Sequence, residues 1–257
     1  MTAGGGLARL RPLVLPVGGL LAWEMIARSG LLSPLVFPSL VRIGRELALL
    51  TARGDALGEA GTSLARALGG FALAAVVGVA IGVAMGRWPR VGRLLDPLLA
   101  ATYPIPKIAL FPIFIFLFGI GSLSKVLLVF LECLYPIVIN AAAGARAVNR
   151  VLVWSALNMG ASRPRLVWRV IVPGAAPYVF AGFRIALPIA LIVVVITEMI
   201  SSADGLGYLV IYALASLKTD RMLAAVIVVA VLGLALDRLL VWLGSRLVFW
   251  ERLETYY

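Results

Sequence analysis

The chain has 257 residues, of which 62% are hydrophobic and only 14% are charged. Soluble domains are about 45–50% apolar and about 25% charged, so this composition excludes a water-soluble globular protein. The formal net charge is +11. The basic residues lie mostly in short stretches between apolar runs, which is typical of membrane topology signals and argues against a nucleic-acid partner.

Apolar stretches that could span a membrane, which requires about 20 predominantly apolar residues, occur along the whole chain. They cover residues 10–27, 67–86, 105–124, 126–145, 177–200 and 222–244. Lipid offers no hydrogen-bond partner to open backbone groups, so each span has to be a helix. The sequence therefore predicts an all-α integral membrane protein of about six transmembrane helices. Residues 1–257 are expected to form a single transmembrane domain with core helices at about 60–245.

Two further helices are predicted not to span the membrane. Ser39 is a suitable N-cap for a helix with one apolar face, formed by Leu40, Ile43, Leu47 and Leu50. Such a helix lies on the membrane or on the protein itself. The other, residues 208–217, follows Gly205 and Gly207 and is too short to cross a bilayer.

The distribution of arginines predicts the orientation. The connecting segments around residues 87–93, 146–169 and 246–252 are predicted to lie on the same side of the membrane as the N-terminus. Arginines are dense in these segments, and acidic residues are few. The long segment 28–66 on the other side is also basic, but acidic residues are interspersed in it. Cytoplasmic loops are enriched in Lys and Arg, so both termini are predicted to lie in the cytoplasm.

Residues 148–173, between the fourth and fifth predicted spans, form a predicted helix–glycine–helix loop. Residues 151–159 can form a short helix, and Gly160 suits the left-handed position just past its end. Ser162 can cap a second helix. Pro173 is expected to end that helix.

This loop is unusually apolar for a solvated cytoplasmic segment. Its large apolar residues are Leu152, Trp154, Leu157, Leu166, Val167 and Trp168. Exposed apolar side chains of this kind are typical of a docking surface for a partner. The alternative is that they pack on the membrane-facing base of the same protein, and the residues alone leave both interpretations open.

The loop resembles the EAA loop of ATP-binding-cassette (ABC) importer permeases. Residues 155–157 read Ser-Ala-Leu where that pattern has Glu-Ala-Ala, Gly160 matches the family glycine, and residues 171–173 read Ile-Val-Pro at the expected distance. The resemblance to the nitrate, sulfonate and taurine branch extends along nearly the whole chain. Characteristic runs lie at residues 23–24, 37–39, 103–121 and 197–210.

The resemblance implies the permease fold of type I ABC importers, in a bacterial inner membrane. It implies a homodimer of permeases surrounded by lipid, partner ATPase subunits that bind ATP and Mg, an extracytoplasmic solute-binding protein, and no cofactor or metal in this chain. The transported solute is expected to be small and anionic, such as a sulfonate, taurine or nitrate, or alternatively a neutral or organic nutrient such as a pyrimidine precursor. The residues implied in coupling to the ATPase are Ser155, Ala156, Leu157, Gly160, Ala161, Ser162, Arg163 and Arg165.

The chain cannot itself be the ATPase. A P-loop requires a lysine directly after a glycine, whereas Lys107, Lys125 and Lys218 follow proline, serine and leucine. The sequence contains no histidine and a single cysteine, which excludes histidine-based triads and argues against a structural zinc site. No pair of nucleophile and base is identifiable either. A less favoured alternative is an ion-coupled secondary transporter in which Glu132 and Glu198 relay protons.

Polar residues within the apolar runs are candidates for the translocation path or its gate. Glu132 could touch the path or could bond to a neighbouring helix, and Asn140 could extend the same polar stripe. Glu198, with Thr197 beside it, lies near the outer boundary, which favours a structural or gating role. Lys107 is placed near the inner boundary, where it could snorkel to the headgroups or guard an anion path.

Small residues and prolines predict where helices pack closely and where one of them is kinked or broken. Gly78, Gly82 and Gly86 recur every fourth residue, the spacing that lets membrane helices pack closely. Pro104, Pro106 and Pro112 remove backbone donors from the third span, so a kinked or broken helix is expected there.

Overall fold

The computed structural model of the chain describes the backbone of residues 5–250 and the side chains of residues 14–250. Within these residues all regular structure is helical. In chain order the α-helices are α1 (Gly5–Arg28), α2 (Leu40–Ala52), α3 (Asp55–Arg87), α4 (Pro89–Thr102), α5 (Phe111–Phe118), α6 (Ser122–Ala147), α7 (Arg150–Asn158), α8 (Arg163–Leu166), α9 (Val172–Ser201), α10 (Leu206–Ala215) and α11 (Thr219–Leu247). A 3₁₀ turn (Lys107–Leu110) precedes α5, and a π-helical turn (Val167–Ile171) joins α8 to α9.

Four helices are long and apolar enough to cross a membrane: α3, α6, α11 and the continuous helix Arg163–Ser201. A fifth span arises if α4 and the segment Lys107–Phe118 count as one broken helix. These helices contain the predicted spans at 67–86, 126–145, 177–200 and 222–244. The first predicted span, 10–27, falls on α1, but several of its side chains lie outside the described residues, and its membrane crossing stays a prediction.

The predicted bounds of the third span, 105–124, are wrong. The broken span of the structure begins earlier, with α4, and continues after an irregular stretch at 103–106 with the 3₁₀ turn and the short α5. Its two parts, Pro89–Thr102 and Lys107–Phe118, are bent by 82°. Proline cannot donate a backbone hydrogen bond, and Pro104 and Pro106 lie in the break as the sequence indicated. Gly119, at φ +80°, then ends α5 before the start of α6.

The prediction that Pro173 ends the second loop helix is also wrong, because the helix continues through it to Ser201. A proline ring clashes with the carbonyl four residues earlier in a regular α-helix. The π-helical turn Val167–Ile171 lies directly before Pro173 and has the wider i→i+5 spacing. That wider turn accommodates the proline within one continuous helix.

The core of the bundle lies where α3, α6 and α9 pack side by side. Its fully buried residues include Ala67, Leu128, Val129, Ile137, Ala186 and Val194. The predicted amphipathic helix is confirmed as α2, in which the Ser39 hydroxyl accepts a hydrogen bond from the Arg42 amide and Ile43 and Leu50 are buried. That apolar face packs against α10 and α11.

The two ends of the bundle carry different features. We call one the loop end, since it holds the helix–glycine–helix segment 148–163. The other is the Arg66 end, where α3, α6 and α11 begin and α9 finishes. Each of these four long helices therefore runs from one end of the bundle to the other.

Candidate functional site

The loop at the loop end has the predicted helix–glycine–helix form. Asn149 caps α7 by accepting a hydrogen bond from the Val151 amide. Gly160 has φ +78°, which confirms the predicted left-handed glycine. Around it the Ala161 amide donates to the Ala156 carbonyl at 3.0 Å, which closes the end of α7.

Ser162 occupies the N-cap position of α8, with extended φ and ψ of −66° and 157°. Its side chain makes no capping hydrogen bond, contrary to expectation, and the first turn begins instead at its carbonyl, which accepts from the Leu166 amide at 2.9 Å. The hydroxyl is therefore not engaged in holding the helix end.

The loop divides into a face that packs on the bundle and a face that is exposed. Ala156 and Leu166 are buried against residues at the ends of α3, α6 and α9. The exposed face, which we call the apolar loop face, consists of Val151, Leu152, Trp154, Leu157 and Met159, with exposed fractions of 61, 57, 59, 42 and 81%. Ser155, Arg163 and Arg165 are exposed as well, whereas Ala161 is half-buried. Packing on the bundle is therefore confirmed for part of the loop, and a docking role for the exposed part stays a prediction.

At the Arg66 end, Glu198 is the centre of a buried polar cluster. Its side chain has no exposed surface. It accepts hydrogen bonds from the Arg66 guanidinium at 2.8 Å, the Ser63 hydroxyl at 2.7 Å and the Gly207 amide at 3.1 Å. The carboxylate is thus neutralised by one buried arginine and held by two further donors, which is what a buried charge requires.

Arg66 ties this cluster to the neighbouring segments. Its guanidinium also donates to the Ser122 hydroxyl at 3.0 Å, at the start of α6, and to the Asp204 carboxylate at 2.7 Å, in the turn after α9. The hydrogen bond from Arg66 is the largest cause of a lowered pKa at Asp204, and the charges of Arg66 and Lys125 lower that pKa further. The cluster therefore locks together α3, α6 and α9.

Two glycines make room for this cluster. A Cβ added to Gly205, which has φ +96°, would lie 2.3 Å from the Glu198 carboxyl carbon. A Cβ on Gly207 would lie 2.1 Å from the Val195 carbonyl oxygen. The Gly205 amide also donates to the Glu59 carboxylate. These contacts explain why glycine is found at position 205, in the turn after α9, and at position 207, in the first turn of α10.

Sequence reasoning misses the polar partners of Glu198, because it assigns Arg66 to a connecting segment outside the membrane. In the structure α3 begins at Asp55, so Glu59, Ser63 and Arg66 lie in its first turns. Their i, i+4, i+7 spacing places them on one helix face. That spacing, together with an intramembrane carboxylate in need of a cation, is the signal that could have identified the cluster.

The other candidate path residues are not brought together. Asn140 donates to the Pro136 carbonyl of its own helix at 2.8 Å, and buried Thr197 donates to the Val194 carbonyl at 2.8 Å. Glu132 is half-buried, and its side chain makes no hydrogen bond within residues 14–250. Their roles in a translocation path therefore stay predictions.

The placement of Lys107 near the inner boundary, with its side chain reaching the headgroups, is wrong. The residue is only 6% exposed. Its ammonium group donates to the Tyr103 carbonyl at 3.1 Å and lies 4.1 Å from the ring centroid of Tyr135, a residue halfway along α6. The reason is that α4 rises about 20 Å from the loop end before the chain breaks, which carries Lys107 to the middle of the bundle.

The glycine stripe of α3 lies directly against α6. Added Cβ atoms would lie 2.8 Å from Ile137 at Gly78, and 2.6 Å from Ala141 at Gly82. At Gly86 the nearest atoms would be the Ala142 carbonyl oxygen and the Ala145 Cβ, both at 2.6 Å. All three glycines thus lie in the contact between α3 and α6, where an added Cβ would overlap atoms of α6.

The family that matches the chain is the inner membrane component of binding-protein-dependent transport systems, whose pattern covers residues 74–249. The chain belongs to this family. It is a multi-pass membrane permease, and the resemblance to ABC importer permeases is confirmed. The matched region contains the loop, the broken α4–α5 span and the helices α6, α9 and α11.

Three relatives show which transport permeases the chain is similar to. It is 35% identical to the taurine transport system permease protein of Escherichia coli, over 90% of this chain and 86% of that protein. It is 32% identical to the putative aliphatic sulfonates transport permease protein of Bacillus subtilis, over 94% of this chain and 88% of that one. The nitrate import permease protein of Synechococcus elongatus is 32% identical over 72% of this chain and 67% of its own.

Proposed function

We propose that the permease forms the membrane path of an importer for a small anionic solute and is driven by a separate ATPase that binds its loop. The observation that carries this proposal is the apolar loop face. Five large apolar side chains are exposed there on a helix that hydrogen-bonds to its own loop and packs on the bundle. Exposed apolar clusters of this kind mark protein–protein contacts.

The continuity of the helix after the loop supports mechanical coupling. Arg163–Ser201 is a single helix of 39 residues that begins in the loop and finishes at the Arg66 end. A displacement of α8 by a bound ATPase would therefore move Glu198 and its hydrogen-bonded partners. Such a helix can bias a two-state switch between inward- and outward-open forms by the energy of ATP binding in the partner.

The nature of the solute is inferred from the relatives, whose names specify taurine, aliphatic sulfonates and nitrate. All three are small and carry a negatively charged sulfonate or nitrate group. We infer the same class of solute for this permease, delivered by a solute-binding protein to the Arg66 end. In this arrangement the loop and both termini are cytoplasmic, the ATP and Mg are held by the ATPase, and a second copy of the permease completes the path.

Proton relay by Glu198, as in an ion-coupled carrier, is not favoured by the geometry. Its carboxylate already accepts hydrogen bonds from Arg66, Ser63 and the Gly207 amide. A relay group has to exchange its proton with water or with another titratable group, whereas Glu198 has no exposed surface and its charged partner is an arginine, which does not deprotonate in proteins.

Site-directed crosslinking tests the proposal. Met159→Cys, at the most exposed residue of the apolar loop face, is compared with Leu217→Cys, an accessible position between α10 and α11 at the Arg66 end. The native cysteine, Cys133, is fully buried and does not interfere. In native membranes we expect the thiol introduced at position 159, and not the one at 217, to crosslink to a chain that carries a P-loop. Absence of that product, or its formation from position 217 alone, would refute the proposed role of the loop.

A further inference from the structure

Lys107 carries a buried positive charge, since the residue is only 6% exposed. Its ammonium group donates to two carbonyls, those of Tyr103 at 3.1 Å and Ile105 at 3.4 Å. It forms no ion pair with any carboxylate of residues 14–250. An ammonium group has three N–H donors, so one of them is left without an oxygen acceptor among these residues.

Lys125 provides a contrast, because it is a buried lysine at a membrane boundary. It lies in the first turn of α6, donates to the Ile120 carbonyl at 2.7 Å and adds its charge to those acting on Asp204. Among residues 14–250, Lys107 has no carboxylate oxygen within 4.0 Å of its ammonium group. Backbone carbonyls and aromatic rings hold its charge.

The position of Lys107 is also unusual for a charged residue. Tyr135, whose ring lies 4.1 Å from the ammonium, is near the midpoint of α6. At about 1.5 Å per residue it lies about 18–20 Å from either end of that helix. A charge near the centre of a bilayer is costly, and such residues generally face a water-filled cavity or a substrate path.

A cavity of about 420 Å³ extends from the loop end as far as Tyr103. It lies between α4 and α6. Its volume is within the range of about 300–1,000 Å³ that is typical of small-molecule sites. At the loop end it begins at an ion pair between Arg146 and Asp96, with an N–O distance of 3.1 Å. At its deep end it is lined by Tyr103, whose ring centroid lies 5.5 Å from the Lys107 ammonium.

Tyr103 therefore separates the cavity from the charge. It is 57% exposed, and its neighbours in sequence, 103–106, form the irregular break between α4 and the 3₁₀ turn. Irregular backbone at membrane depth is tolerated where it lines a cavity, and broken helices commonly carry transport sites.

We propose that Lys107 is an anion-binding site at the middle of the membrane, reached from the loop-end cavity past Tyr103. The negatively charged oxygen of a sulfonate, nitrate or similar small anion accepts the remaining N–H of the ammonium group. The inference rests on the proposed function as an importer of anions, and it assigns Lys107 as a residue that binds the solute during transport. The two tyrosine rings hold the cation in place when no anion is bound.

The local charge can be measured without any partner or ATP. Ala100 lines the cavity one turn before Tyr103, and Ala100→Cys is placed in a Cys133→Ala background in lipid nanodiscs. The probes are methanethiosulfonates carrying a sulfonate or a trimethylammonium group, with rates normalised to a free thiol. We expect the sulfonate reagent to react at least tenfold faster, and this preference to fall at least fivefold in Lys107→Gln and to persist in Lys107→Arg.

A second arm retains Lys107 and so remains decisive if the Lys107→Gln variant does not fold. Methanesulfonate is expected to slow modification of the thiol at position 100 saturably, whereas its uncharged isostere dimethyl sulfone is expected to have no effect. Equal protection by both compounds, or an anion preference unchanged in a folded Lys107→Gln variant, would overturn the proposal. Loss of the loop crosslink would instead refute the coupling, so the two failures are distinguishable.

Discussion

Removal of the Arg66 guanidinium is the sharpest test of how the Arg66 end is held together. Arg66→Met keeps most of the side-chain volume but leaves Glu198 as a buried carboxylate without a cation, since Glu198 has no exposed surface. It also removes the hydrogen bonds to Ser122 at 3.0 Å and to Asp204 at 2.7 Å. Breaking a buried ion pair by deleting one partner costs about 3–5 kcal/mol. We expect a loss of that size in the free energy of unfolding.

The assay is unfolding in detergent micelles by titration with a denaturing detergent, followed by tryptophan fluorescence. Arg42→Met is the matched control, because Arg42 pairs with Asp220 at 3.5 Å but its side chain is 53% exposed, and exposed pairs contribute about 0–1 kcal/mol. The double variant Arg66→Met/Glu198→Met is expected to recover part of the loss, since no charge then remains buried. If Arg66→Met costs no more than Arg42→Met, the cluster does not stabilise the bundle and our reasoning is wrong.

Three further predictions concern backbone packing, the loop and pH. Gly82→Ala places a Cβ 2.6 Å from Ala141 and is expected to lower the free energy of unfolding by about 1–3 kcal/mol, whereas Gly58→Ala, which meets no atom within 4 Å, is expected to be neutral or slightly stabilising in the same unfolding assay. Gly160→Val forces a β-branched residue to φ +78°, at a cost of at least about 1–2 kcal/mol, and should abolish transport in membrane vesicles while insertion stays intact. Gly160→Asn should retain much of the transport, because asparagine tolerates left-handed backbone. The pKa of Asp204 is lowered in the folded state. The stabilisation that this carboxylate contributes is therefore fully present above the ordinary aspartate pKa of about 3.9 and is lost as the pH falls through the lower, folded value. Asp204→Asn should remove this part of the acid sensitivity of the unfolding temperature.

Each of these predictions has a result that contradicts it. Equal stability of the Gly82→Ala and Gly58→Ala variants would mean that the α3–α6 contact relaxes without cost. Full transport by Gly160→Val would show that the left-handed turn is dispensable. An unfolding temperature that declines in acid equally with and without the Asp204 carboxylate would assign that decline to other groups.

Most of the membrane helices were predictable because a span is a local property of the sequence. Length and apolarity alone decide whether a segment partitions into lipid, and the predicted span 126–145, for example, lies within four residues of both ends of α6. The loop was equally local, since Gly160 is required by a backbone angle and not by a neighbouring atom: a Cβ there would meet nothing within 4 Å. Its helix–glycine–helix form could thus be derived without knowledge of the rest of the fold.

The failures lie where distant residues decide the outcome. The apolar run at 105–124 begins inside the break between α4 and the 3₁₀ turn, so hydropathy could not show that Lys107 lies beside the middle of α6. Sequence reasoning assigns Arg66 to a connecting segment because an isolated arginine is expected to stay in water. Only the approach of Glu198, 132 residues along the chain, makes its burial favourable.

The amino-acid sequence by itself determined that this protein is a helical membrane protein with an apolar helix–glycine–helix loop, since apolarity, helix length and a left-handed glycine act within a few turns of chain. The tertiary structure alone decided which charges enter the membrane and where they lie. A buried charge is stable only beside its partners, and some of those partners come from other helices: Glu198 on α9 pairs with Arg66 on α3, and the ring of Tyr135 on α6 lies beside the Lys107 ammonium group.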